Sequence, residues 1–251
     1  MKALNSLIMM VAAVALLAFS VPAHAGKTDS RIEESAKQSY VFKTYLKNDD
    51  IKIKSKDGVV TLTGVVSESF HKSLAQETVS GLPGVKTVNN RLETKNSPPN
   101  ANSDEWLRDK VKATLTFHRS VSATSTEVTV KDGVVTLRGN AASQAQKELT
   151  MEYAKDLEGV KDVNNQMTVV EPPKKKRTVG EKIDDSSITA QVKMTLLSHR
   201  STSALYTTVK TKRGVVTLEG KAKSQFEKDL ATKLSNDVHG VKSINNQMSV
   251  E

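Results

Sequence analysis

The chain has 251 residues, 37% apolar and only 4% aromatic, with a formal net charge of +9. It contains no cysteine, which excludes disulfides, thiol catalysis, thiolate metal sites and acylation of a lipoprotein cysteine. The basic balance points to polyanionic partners, and nucleic acid or an anionic membrane surface are the usual ones.

The first element is a leader. Lys2 supplies a positive start, Leu7 to Phe19 is an almost unbroken apolar run, and Pro22 precedes the small-x-small motif Ala23-His24-Ala25. This pattern predicts a secretory signal peptide over residues 1–25, cleaved after Ala25. The apolar run is shorter than the ~20 residues a spanning helix needs. Export in a Gram-negative bacterium would leave the mature chain in the periplasm. That location argues against nucleic acid and leaves anionic phospholipid surfaces, or unfolded and envelope proteins, as the expected partners.

The mature chain repeats one block three times. Gly-Val-Val-Thr-Leu-x-Gly occurs at 58–64, 133–139 and 214–220. Gly-Val-Lys follows at Gly84, Gly159 and Gly240, and an Asn-Asn pair follows Val88, Val163 and Ile244. The shared spacing makes the chain a tandem array of one small domain. The domains are expected at 27–95, 103–170 and 182–251. A linker over 96–102 and a Pro/Lys-rich linker over 171–181 separate them, and the Pro-Pro pairs in both favour extended spacers.

Each repeat opens with a predicted helix. Its apolar stripe is Ile32, Ala36 and Tyr40; Leu107, Val111 and Leu115; or Ile188, Val192 and Leu196. Asp29 and Asp104 are expected to cap these helices. Two strands follow, joined by tight turns at Gly58, Gly133 and Gly214, so they form a β-hairpin. Gly64, Gly139 and Gly220 are expected to end the second strand. A second helix follows, with its stripe on Leu74, Thr78 and Leu82 and their equivalents, and then a last strand. The second and last strands flank a helix and should pair in parallel. The order α-β-β-α-β predicts an α+β fold: three tandem domains, each a mixed three-stranded sheet with two helices on one face.

That order, the glycine after the second strand and the Gly-Val-Lys-x-Val-Asn-Asn segment resemble the BON (bacterial OsmY and nodulation) domain. The resemblance covers nearly the whole mature chain as three copies, where one or two are usual. It implies a periplasmic protein with a role in envelope integrity or osmotic stress, phospholipid association and no catalytic residues.

The residues themselves show no catalytic triad, metal cluster or cofactor loop, so neither enzymatic activity nor a cofactor is expected. His118 and His199 occupy equivalent positions, each followed by Arg, and Lys43 stands there in the first repeat. This reads as a solvated helix end where cations complement the dipole. The Asn-Asn pairs are expected to satisfy backbone groups near the last strand.

Candidate contact residues lie where the copies differ. Trp106 is the only Trp, with Arg31 and Ser187 at the equivalent positions. Trp106, Lys110, Ala113 and Phe117 form a helix face about 120° from the core stripe. An aromatic on that face could anchor at a membrane interface or touch a partner; the alternative is packing against a neighbouring repeat. Lys174, Lys175, Lys176 and Arg177 form a basic run that could attract an anionic bilayer or simply solubilise a linker. Lys210, Lys212 and Arg213 make a third candidate patch on the last hairpin. Lys and Arg outnumber Asp and Glu by three in residues 27–95 and by four in 182–251, and fall one short in 96–170.

Overall fold

A computed structural model describes residues 23–95, 103–121, 123–170, 182–202 and 207–251. The predicted leader, apart from Ala23 to Ala25, and both predicted linker motifs lie outside these residues.

The first repeat comprises α1 (Ala23–Gln38), α2 (Tyr40–Thr44), β1 (Asp50–Lys56), β2 (Val59–Val66), α3 (Ser69–Ser80) and β3 (Thr87–Thr94). The second comprises α4 (Asp104–Phe117), a 3-10 turn at Ala123–Ser125, β4 (Thr126–Lys131), β5 (Val134–Ala141), α5 (Gln144–Lys155), β6 (Asp162–Asn165) and β7 (Thr168–Val169). The third comprises α6 (Asp185–Ser198), β8 (Thr207–Lys212), β9 (Val215–Ala222), α7 (Gln225–Asn236), β10 (Ser243–Asn246) and β11 (Ser249–Val250). Each sheet is mixed, with an antiparallel hairpin and a parallel last strand, as in β1-β2-β3. In the second and third repeats the last strand is split into two short pieces, both paired to the central strand.

The hairpin turns follow from their residues. Asp57, Asp132 and Arg213 have φ near +54°, and Gly58, Gly133 and Gly214 follow with φ near +81°, the two left-handed residues of a type I′ turn. Such a turn leaves two backbone N–H groups without ladder partners. Asp29 accepts from Asp57 N at 2.8 Å and Gly58 N at 3.0 Å. Asp104 and Asp185 do the same for the other two turns. The expected capping role of Asp29 and Asp104 is therefore corrected: these carboxylates clamp the hairpin turn. The helix caps fall one residue earlier, on Ser103 and Asp184, which accept from Trp106 N and Ser187 N.

Gly64, Gly139 and Gly220 do not end the second strand, which runs two residues further. A Cβ at Gly64 would lie 1.9 Å from the carbonyl oxygen of Asp50, so the glycine permits a close strand approach at positive φ. The second Asn of each pair satisfies backbone groups, as expected, and in doing so ties the last strand to the second helix. Asn90, Asn165 and Asn246 donate to the carbonyls of Lys72, Lys147 and Lys228, and accept from the N–H two residues on.

The first helix of the first repeat is broken. Ser39 turns the chain between α1 and α2, so Tyr40 leaves the core stripe and Val41 is buried instead. The break is completed from outside the repeat: Tyr40 N donates to Asp184 at 2.7 Å, and Val41 N to Ser187 Oγ at 3.1 Å. Those acceptors stand at the start of α6. Helix α6 is buried on nearly all sides, with Ile188, Val192 and Leu196 in its own core and Ala190 and Met194 in the core of the first repeat. Among the described residues, no helix is long and apolar enough to cross a membrane.

Candidate functional site

The second and third repeats share one continuous apolar core. At its edge lies a reciprocal polar clasp. Chain segments just after α4 and α6 each form a single antiparallel bridge with the other repeat, His118 to Val238 and His199 to Leu157. Arg119 N donates to Asp237 O, and Arg200 N to Asp156 O, both at 2.9 Å. The Arg119 guanidinium reaches the carbonyls of Asn236 and Val241; that of Arg200 reaches Lys155, Leu157 and Val160. Each arginine thus covers the carbonyl end of the other repeat's second helix, where a cation complements the dipole. Ser120 and Ser201 donate to Asp237 and Asp156. Because each repeat offers the same groups to the other, the contact has the self-complementary form of a two-fold dimer interface.

The two histidines sit inside this clasp, 0% and 2% exposed, and not at a solvated helix end as their sequence setting implied. Nδ1 of His199 is 2.8 Å from Asp156, and Nδ1 of His118 is 3.3 Å from Asp237. His118 stacks on Tyr153, whose hydroxyl donates to Asp237 at 2.8 Å. Burial pushes the His118 pKa down, against the opposing pull of Asp237. Burial alone would raise Asp237, but His118, Ser120 and Tyr153 together hold it below the usual carboxylate range. The first repeat has Lys43-Thr44-Tyr45 and Gly81 at the equivalent positions and cannot make the clasp. The signal was present in the sequence as His-Arg-Ser twice and its partner Asp twice, with both halves absent together from the first repeat.

The proposed contact residues are placed unevenly. Phe117 is 1% exposed, packed with Ala190 and Met194 and edge-on to Tyr45 at 5.6 Å. Of the two readings, the exposed membrane or partner anchor is corrected at Phe117 and packing against a neighbouring repeat holds: the flanking face of α4 is covered at its C-terminal half, where the first and third repeats meet it. Trp106 is half-buried against the shared core, with Lys110 Nζ 4.7 Å from its ring centre. The Lys110 side chain is only 14% exposed and pairs with Glu158 at 3.7 Å, and burial lowers its pKa. On the last hairpin Lys210 is bound to Glu219 at 2.7 Å, whereas Lys212 and Arg213 are exposed. Lys174, Lys175, Lys176 and Arg177 lie outside the described residues.

One surface residue escaped the sequence reading. Phe226, in the first turn of α7, is 71% exposed. Its equivalents are Phe70 and Ala145. Phe70 lies in a cleft of about 320 Å³ between the first two repeats, lined also by Tyr45, Leu115 and Val128. Phe226 stands four residues before Leu230 and so continues the core stripe on paper. The first turn of α7 carries it out into solvent.

Three α-β-β-α-β repeats, each closed by an Asn tie and a clamped I′ turn, define a tandem array of one small domain type. The BON domain family model matches residues 28–96, 103–171 and 184–251, and the chain belongs to that family. Osmotically-inducible protein Y of Escherichia coli (strain K12) is 33% identical over 156 residues, 62% of this chain and 77% of that protein. Outer membrane lipoprotein DolP of Haemophilus influenzae is 34% identical over 111 residues, covering 43% of this chain and 57% of that protein. A solved structure of CdsD, a structural protein of the type III secretion system of Chlamydia trachomatis, aligns over 88% of this chain at 15% identity with a TM-score of 0.25.

Proposed function

We propose that this is a non-enzymatic periplasmic protein that associates weakly, through several sites, with anionic phospholipid surfaces of the envelope and supports envelope integrity under osmotic or other stress. Similarity to an osmotically inducible protein and to an outer membrane lipoprotein supports the setting. The observation that carries lipid association is Phe226, an exposed aromatic three residues after the exposed Lys223, on the repeat with the largest positive excess. An aromatic beside a cation suits the boundary between headgroups and acyl chains. Tethering three repeats raises apparent affinity beyond that of any single contact. Half-buried Trp106 contributes little in this arrangement. Flotation of the mature chain with anionic and neutral vesicles tests the reading: salt-sensitive preference for anionic vesicles, weakened by Phe226→Ala, supports it, and equal or absent binding removes it.

A second reading, a chaperone or protein-interaction module, draws support from the outer edges of β1, β4 and β8, which are edge strands of their sheets. Such edges can accept an extended client segment. Suppression of client aggregation without lipid would favour it.

A further inference from the structure

The two helices of each repeat cover one face of its sheet, and the register of the first sheet defines what the open face presents. Four rows cross it. Lys56, Val59 and Thr87 form the row beside the turn; Lys54, Thr61 and Asn89 form the next; Lys52, Thr63 and Arg91 the third; Asp50, Val65 and Glu93 the last. Lys52, Lys54, Lys56 and Arg91 are all exposed, and none forms an ion pair among the described residues. Rows two residues apart are about 7 Å from each other, and β1 and β3 are about 10 Å apart across β2, so the four cations share one flat patch. Short threonines and Asn89 fill its middle, with no bulky side chain to lift it from a planar surface. Both carboxylates sit together in the last row, and among the described residues neither forms an ion pair with the four cations.

The other two open faces differ. In the second repeat Glu127 stands directly opposite Arg138, and Lys131 shares a row with Asp162, so the charges alternate. In the third, Lys210 is paired with Glu219 at 2.7 Å and Lys221 with Glu251 at 2.8 Å. The third repeat has the larger positive excess, but among the described residues its open face keeps only Lys212 outside an ion pair, against four such cations on the first. Edge strands commonly carry charge to block pairing with another sheet. That need is met by either sign, and β4 meets it with Glu127 and Lys131; it does not call for one sign in three rows and both carboxylates in the fourth.

We propose that, of the several contacts, the open face of the first sheet is the main surface by which the protein lies on an anionic phospholipid bilayer, with Lys52, Lys54, Lys56 and Arg91 seated among the phosphates. This deepens the lipid-binding reading above and rests on it. The test uses the full mature chain and vesicles of phosphatidylglycerol mixed with phosphatidylcholine at low salt. The variant K52Q/K54Q/K56Q/R91Q is compared with K210Q/K212Q/R213Q, each checked for an unchanged thermal midpoint. At about fivefold per seated charge, the first variant should lose at least a hundredfold in affinity, and the second, whose charges lie off the docking face, less than about fivefold. If the unaltered protein does not bind these vesicles, the lipid-binding reading fails and this proposal with it. If it binds and the first variant binds equally well, or both variants lose affinity equally, this face is not the docking surface while lipid binding stands. Binding of the face to soluble polyphosphate but not to vesicles also overturns the bilayer assignment.

Discussion

The second and third repeats are joined to each other in one way, and the first is joined to them in another. The pair shares a core and exchanges the same groups in both directions: a buried histidine, an arginine over a helix end, a serine and an aspartate. The first repeat is attached one-sidedly. Its broken helix takes two acceptors from the start of α6, Lys193 pairs with Glu77 at 2.7 Å, and Phe117 fills the space between. One fold, copied three times, is thus built into an assembly by two kinds of contact. The contacts are made by positions that the fold leaves free to vary, because the shared glycines, core residues and asparagines are already engaged inside each copy.

Breaking the first repeat's attachment should have the largest effect. Phe117→Ala removes a fully buried aromatic and should cost about 3–5 kcal/mol in urea unfolding. It should also increase the radius of gyration in X-ray scattering as the first repeat loosens; an unchanged radius would mean that the polar contacts suffice. Asp237→Ala leaves His118, Ser120 and the Tyr153 hydroxyl without their carboxylate and should destabilise by about 3 kcal/mol. Gly81→Ala, at the equivalent place in the first repeat, should cost far less. Asp184→Ala removes both the α6 cap and the acceptor for Tyr40 N, for about 1–2 kcal/mol. Its signature is faster amide exchange at Tyr40 and Val41.

Acid should separate the two kinds of contact further. His118 is held below its ordinary pKa of 6.5 by burial, so the clasped state disfavours the proton that an opened state accepts. Its contribution is present above that value and is lost as pH falls below it. Asp237 is held below 3.8, so its contribution is lost at still lower pH. Both signs favour opening in acid. Stability measured by denaturant should fall between pH 7 and 5, and His118→Gln should reduce that slope without abolishing it, because burial also holds His239 low, while leaving the first repeat's contacts unchanged.

Much of the fold is legible from local pattern. The 3.6-residue stripe, the alternating strands and the turn glycines assign each element within its own segment. The errors cluster where a distant group intervenes. Tyr40 reads as core until Asp184, 144 residues away, takes its N–H. Asp29 reads as a cap until the free N–H groups of a turn 28 residues on claim it. The candidate site was less legible for the same reason. His118 and Phe117 resemble surface residues because neighbours within the repeat do not cover them, and Phe226 continues a core stripe that its sheet does not reach.

The sequence by itself determined three copies of one α-β-β-α-β unit, with their tight hairpin turns and a backbone role for the Asn pairs, because each depends on spacing and conformational preference inside a single repeat. Only the tertiary structure decided that two copies clasp and one leans, that the histidines are buried, and which cations remain free. Net charge counts residues, whereas free charge depends on which carboxylate the strand register sets opposite each lysine. The third repeat, richer in cations, spends Lys210 and Lys221 on Glu219 and Glu251, and the first keeps Lys52, Lys54, Lys56 and Arg91 open.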